Sequence, residues 1–346
     1  MTAGAVNIPD LVTVGGLTVD NVVAADGTVG LGQAGGNGAY AAVGALHFVN
    51  RVGLVSQAVA SYPADVLSRL VEGGVDADGV VFAPDRLTAG SWFLYAANGD
   101  RDERFHSPPE DLAAAGFPTD RLTAQQRAEW IALLSARPTD ESQSYAHFRV
   151  SNPLRATQVP DAFWQARGMH LAPSAPGVMI DMLDRVPSGM TVIADPGWQL
   201  AAHPLDTLMP ILSRLDAFLP SEVELRQMVP DTGLTDGLAV LAARCLGIVA
   251  VKLGPRGIMV WDRAQGAGVL VPARTVIARD PTGAGDAFCG GFLAGLVETG
   301  DPLLSARFGA VAAARIVECF GADGALPANQ PAARSDLAQM PKEIVR

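Results

Sequence analysis

The chain of 346 residues lacks any apolar run near the ~20 residues that a bilayer-spanning helix requires. Its first ten residues also lack the basic start and continuous apolar stretch of a signal peptide. These absences set the expectation of a soluble, cytoplasmic protein. Cysteine is scarce: Cys245, Cys289 and Cys319 are odd in number, far apart and set among apolar or small residues, which excludes a disulfide framework and a zinc site and leaves reduced core thiols. The five histidines show no metal-ligand spacing. Basic residues are outnumbered by acids, 25 to 36, so the net charge of −11 excludes nucleic acid or an anionic membrane as the main partner. An anion must then be bound by local geometry. There is no G-x-x-x-x-G-K-[ST] loop, no protein-kinase catalytic loop, no internal repeat and no low-complexity linker.

What is present suits a globular α/β protein: 49% hydrophobic and 18% charged residues, in a length that predicts one large core with a smaller appendage. The organising stretch is Arg279 to Phe288. A β-branched segment, Thr275 to Ile277, runs into a turn with Pro281, Gly283 and Gly285, and the pattern beyond it is helical, so the reading is strand, glycine turn, helix. Gly283, Ala284 and Gly285 let the backbone approach a ligand, and the N–H groups that open a helix have no partner inside it and form an anion site. Asp286 stands beside that cradle. It either caps the helix or takes a proton from a hydroxyl attacking a phosphoryl group.

Upstream, Leu11 to Val14 reads as a buried strand, and Val19 to Val23 carries one acid, Asp20, read without context as a turn or strand-edge residue. Glycines from Gly30 to Gly38 give way to an alanine-rich helix through Leu46. Gly30, Gly32 and Gly35 match G-x-G-x-x-G, but no buried strand leads directly into them and no acid stands at the ribose position, so the dinucleotide reading is weak. A strand from Arg51 to Val59 and a helix from Pro63 to Gly73 follow. Val75 to Phe82, Ser91 to Tyr95 and Arg104-Phe105, with a turn at Asn98-Gly99-Asp100, predict an antiparallel patch apart from the main sheet. From Met169 onward strands and helices alternate, which predicts a parallel sheet covered on both faces. Ile248 to Lys252 leads into Gly254 to Gly257 and a hairpin return at Ile258 to Trp261. Between Ser107 and Gln165 only a helix at Ala124 to Leu134 is predicted.

Together these segments resemble the ribokinase-like, PfkB-type carbohydrate kinases, whose hallmark D-x-T-G-A-G-D is here Asp280 to Asp286. Gly35-Gly36 opening an alanine-rich helix, the strand-borne Asp20, Asp195-Pro196, Pro220 to Glu224, Leu253-Gly254-x-x-Gly257 and Gly321-Ala322 follow in family order. The resemblance covers about residues 11 to 327. It implies a three-layer α/β/α sandwich with a mostly parallel central sheet and a small β lid drawn from about 17–34 and 76–106, an irregular insertion at 107–165 and a peripheral tail at 328–346. It also implies ATP-dependent phosphorylation of an alcohol, with Asp286 as base and Gly283, Ala284 and Gly285 as phosphoryl cradle. Acceptor hydroxyls would fall to Asp20, Gly35, Gly36 and Tyr40, and ATP to Lys252, Gly254, Gly257 and Thr282. Glu224 would organise Mg²⁺, and Asp280 and Thr282 a monovalent cation such as K⁺. The small molecules would be the only partners apart from a homodimer formed through the lid.

The chain departs from the family pattern at Tyr40 and Ser221, where asparagines are common, and Gly-Gly-x-Gly-x-Tyr-Ala-Ala with His170 to Pro173 looks like a branch containing Mak32-type proteins. Two other readings stay open: a non-catalytic ligand- or nucleotide-binding regulator on the same fold, and a nicotinamide oxidoreductase.

Overall fold

A computed structural model describes residues 7–84, 91–95, 101–102, 122–128 and 145–341. Among the described residues the main sheet has nine strands in the order β13-β12-β11-β10-β9-β8-β1-β4-β5. Here β1 is Leu11–Val14, β4 Val52–Val59, β5 Val75–Ala83, β8 Gly168–Leu171, β9 Thr191–Ala194, β10 Ala217–Phe218, β11 Ile248–Lys252, β12 Ile258–Asp262 and β13 Ala267–Val271. Every pairing from β5 across to β11 is parallel, and β12 and β13 close that edge as antiparallel strands. Parallel strands need crossovers, so helices lie on both faces and both faces must be apolar. The burial agrees: Leu11, Leu54, Ile193 and Ala250 point into one core with the helices Asn37–Leu46, Ala284–Thr299 and Pro302–Val317, whereas Val12, Val55, Val192 and Val249 point into a second one. The result is a three-layer α/β/α sandwich. The alanine-glycine composition of the first two helices reflects their closeness, since a Cβ on Gly290 would collide with the Ala41 carbonyl.

A second, four-stranded sheet has the order β3-β2-β6-β7, with β2 Thr18–Val23, β3 Val29–Gly35, β6 Ser91–Tyr95 and β7 Arg101–Asp102. This is the small β lid. Three expectations are corrected here. Val75–Ala83 pairs in parallel with β4 as the outer strand of the main sheet, and β6 lies parallel to β2, so the patch is neither wholly antiparallel nor wholly separate. Gly30, Gly32 and Gly35 lie in β3, an antiparallel lid strand, which removes the dinucleotide reading because that fingerprint belongs to a strand-to-helix turn. Thr275 to Ile277 belongs to no strand: the sheet ends at Val271, and Ile277, 92% exposed, has no core to enter.

The predicted helix from Ala124 is present at residues 124–128, and its remainder lies outside the described residues, as do the Asn98 turn and Arg104-Phe105. The helix Tyr145–Ser151 leads toward β8. Residues 330–339 form a helix whose Asp336 is ion-paired with Arg274 and Arg315. Among the described residues no helix is long and apolar enough to cross a membrane.

Candidate active site

In a parallel sheet the loops leaving the carboxyl ends of the strands collect on one edge, where open α/β folds place their ligands. That edge here carries Gly15-Gly16 after β1, Ala172 to Ser174 after β8, Asp195 after β9, Pro220-Ser221 after β10 and Lys252 at the end of β11. The helix Ala284–Thr299 starts beside them from Gly283, which adopts a left-handed conformation, φ 73°. The Ala284 N–H turns back to the Pro281 carbonyl at 3.3 Å, while no backbone partner for the Gly283 or Gly285 N–H appears among the described residues. A Cβ added to Gly285 would have the Lys252 ammonium as its nearest neighbour, 3.6 Å away. A cation aimed at the positive end of a helix is unfavourable unless an anion comes between them.

Lys252, its side chain 12% exposed, is ion-paired with Asp195. The Cys289 thiol lies 3.7 Å from the ammonium and 3.7 Å from the Asp195 carboxylate. Burial works against the Lys252 charge, but Asp195, Cys289 and Glu224 outweigh it and hold its pKa above the ordinary value. Burial pushes the Asp195 carboxyl up to about 6, with Lys252 opposing and Glu224 adding. Asp286, half-buried one residue beyond Gly285, is pushed up to about 7, first by loss of water and then by Asp195, Glu224 and Asp20 against the pull of Lys252. A carboxyl poised there exchanges its proton near neutrality, as an acid-base group must.

The acceptor half is tied to this turn through Tyr40. Asp20, 2% exposed, accepts a hydrogen bond from Thr18 Oγ1 at 2.9 Å and from the Tyr40 hydroxyl at 3.1 Å. Gly35 lies so close that any Cβ there would fall on the Asp20 carboxylate. Burial, then the charges of Asp20 and Asp280, push the Tyr40 phenol well above its usual range, so it remains a donor. The Tyr40 ring covers Gly283: a Cβ on that glycine would lie 2.2 Å from ring carbons. Gly36, at φ 96°, is pressed against the Gly16 backbone and opens the helix Asn37–Leu46.

The remaining predicted residues divide. Asp280 accepts from the Thr282 N–H at 2.9 Å and so shapes the turn, and Thr282 Oγ1 shares a 2.8 Å hydrogen bond with the Tyr95 hydroxyl of β6. Glu224 accepts from the Ser221 N–H at 2.6 Å while Ser221 Oγ accepts from the Glu224 N–H, a capping box that starts the helix Glu222–Met228. Gly254, φ 59°, faces open space, whereas Gly257, φ 103°, is enclosed by the Val271 carbonyl and Pro272. Sequence reasoning assigned no role to Thr18, Tyr95 or Asp195. Asp195-Pro196 was a recognisable pair, but its partner is 57 residues away and only the sheet order brings it to Lys252.

The sheet order, the helix-opening cradle at its carboxyl edge and the lid define the ribokinase-like class of fold. The same architecture recurs in the nucleoside kinase of Methanocaldococcus jannaschii, at 17% identity over 96% of this chain and 99% of that one with a TM-score of 0.64. It recurs also in Arabidopsis thaliana ribokinase complexed with ribose and ATP, at 19% identity over 96% and 99% with a TM-score of 0.65. Among further solved neighbours one holds ATP with Mg²⁺ and another ADP with a calcium ion. In sequence, residues 161–329 match the pfkB family carbohydrate kinase. The cytidine kinase of Thermococcus kodakarensis is 25% identical over 83% of this chain and 88% of its own. The matched family segment spans just under half of the chain and the cytidine kinase most of it, so the chain is similar to carbohydrate and nucleoside kinases in sequence as well as in fold. These likenesses bear on the family and leave the Mak32-type branch untouched.

Proposed function

We propose that the chain transfers a phosphoryl group from ATP to a hydroxyl of a small carbohydrate-like or nucleoside-like acceptor, with Asp286 as general base and the Gly283–Gly285 turn as anion hole. The observation that carries this reading is the Lys252 ammonium facing the start of the helix Ala284–Thr299 with Asp286 at its rim, its pKa about 7. Two positive features meeting on a net-negative protein are matched to a transferring phosphoryl, whose charge spreads over oxygens that need fixed donors.

In this mechanism the Asp286 carboxylate takes the proton of the acceptor hydroxyl as that oxygen attacks. The Gly283 and Gly285 N–H groups and the Lys252 ammonium donate to the oxygens that carry the developing charge. Asp195 holds the ammonium in place through its ion pair. Tyr40 keeps Asp20 oriented toward the acceptor side, with Gly35 and Gly36 letting the acceptor approach the backbone. Gly254, with open space beside it, and Gly257 take the adenosine side.

Among the described residues no group of three or more His, Cys, Asp or Glu could hold a metal ion on protein ligands alone. Glu224 is the residue that would help to hold a Mg²⁺ bound with the nucleotide, and such an ion would supply further neutralisation of phosphate charge. Asp280 and Thr282 are the residues to hold a monovalent cation such as K⁺, and the lid is the surface for a homodimer.

Cytidine and ribose, the acceptors associated with relatives, head a panel of nucleosides and sugars assayed for ATP turnover. Asp286→Asn is expected to lose roughly 10²- to 10⁴-fold in kcat, the usual worth of a positioned base. Equal turnover by the variant removes Asp286 from the mechanism.

A further inference from the structure

A cavity of about 130 Å³ lies at the same carboxyl edge, behind the Gly15-Gly16 turn on the face of the sheet away from Tyr40 and apart from the phosphoryl cradle. It opens against Gly15-Gly16, the first turn of the helix Pro176–Leu183 and the helix Tyr145–Ser151. In a chain with eleven more acids than bases, none of the described residues lining it is Asp or Glu. Its one charged wall among the described residues is Arg149, whose Nη2 donates to the Pro173 carbonyl at 2.8 Å, which fixes the guanidinium beside Ser174.

Ser174 is 5% exposed, lines the cavity and makes no hydrogen bond among the described residues, so its hydroxyl is free to bind what enters the cavity. The helix that follows starts at Ala175, which offers no side-chain cap, and has no acid in its first turn. An uncapped helix start, an anchored guanidinium and an unpartnered hydroxyl all seek negative charge. The amides of Gln57, Asn152 and Gln199 complete the polar lining.

We infer that this cavity is a second anion site, built for a small metabolite bearing a compact oxyanion, a phosphate monoester or a carboxylate. It is separate from the phosphoryl cradle: neither Lys252 nor any residue of the Gly283–Asp286 turn lines it. The helix Tyr145–Ser151, in a segment to which sequence assigned no chemistry, supplies its cation.

The test is calorimetric titration of inorganic phosphate, at constant ionic strength, into the full chain carrying Lys252→Met, so that the cradle does not contribute. Binding is expected to persist in that variant and to weaken by about tenfold or more when Arg149→Met is added, as one charge-assisted pair implies. A parallel titration with acetate separates the sources: a carboxylate site binds both anions, and a phosphate site only the first. Absence of binding to Lys252→Met, or the same affinity with and without Arg149, overturns the inference. Ser174→Ala, a smaller change, guards against misfolding: the far-ultraviolet spectrum should match wild type while phosphate affinity falls.

Discussion

Gly283 and Gly285 stand two residues apart and answer different demands. At Gly283 the backbone is left-handed and the Tyr40 ring occupies the place of a Cβ. Alanine there is strained in its dihedrals and collides with a ring that cannot retreat from its bond to Asp20. Gly283→Ala should therefore destabilise the fold by about 1–3 kcal/mol, a loss read in urea denaturation. At Gly285 the helix has begun and a methyl meets only the end of a lysine chain. Gly285→Ala should leave the urea midpoint within the roughly 0.5 kcal/mol typical of harmless substitutions while weakening ATP in a binding titration. Equal stability losses at both positions would mean that the turn is a structural knot and not a cradle.

The elements show what patterning reveals and where it stops. Strand-helix alternation, read from apolar runs between turn residues, predicts the parallel sheet, and D-x-T-G-A-G-D locates the cradle because turn, glycine and helix start are local chemistry. Long-range pairing was not legible in the same way. Thr275 to Ile277 has strand composition yet lies where the sheet has ended, and β13 was missed because Ala267–Val271 contains a glycine and little periodicity. Val75 to Phe82 was grouped away from the main sheet because it reads as one of several short extended pieces separated by turns, and its largely unburied side chains suit the edge strand it forms. The link from lid to cradle was equally hidden: Tyr95 of β6 looks like any alternating aromatic, and only the fold brings its hydroxyl to Thr282, 187 residues on. That bond predicts an effect across elements. Tyr95→Phe leaves the Thr282 hydroxyl without this partner and should cost about 1–2 kcal/mol in denaturant. It should also lower kcat in the kinase assay more than it raises the ATP KM, since the turn remains but loses its brace to the lid. A variant that matches wild type in both measurements would show that lid and cradle act independently.

For the whole molecule, the buried titratable groups oppose one another. Asp286 and Asp195 have folded pKa values raised to about 7 and about 6 from the usual 3.8, so the folded chain holds more protons than the unfolded one in that range. Their contribution to stability is present at low pH and is lost as pH rises from about 4 to 7. His170 and His47, both buried, are lowered to about 3 and about 4 from 6.5, His170 by burial and then Lys252, His47 by burial and then Arg315. For them the unfolded chain holds more protons, so stability grows as pH rises through the same window. Two groups of each kind nearly cancel, and the wild-type urea midpoint should be almost flat between pH 4.5 and 6.5. Asp286→Asn removes one of the two acids and leaves the histidines ahead: its stability should climb with pH through that window and by pH 8 exceed wild type by about 1–2 kcal/mol. A flat profile in the variant would show that Asp286 ionises as freely in the fold as in water. A climbing profile, in a protein that has become more stable and no longer turns over ATP, would identify the neutral-range carboxyl as a cost that the fold bears for catalysis.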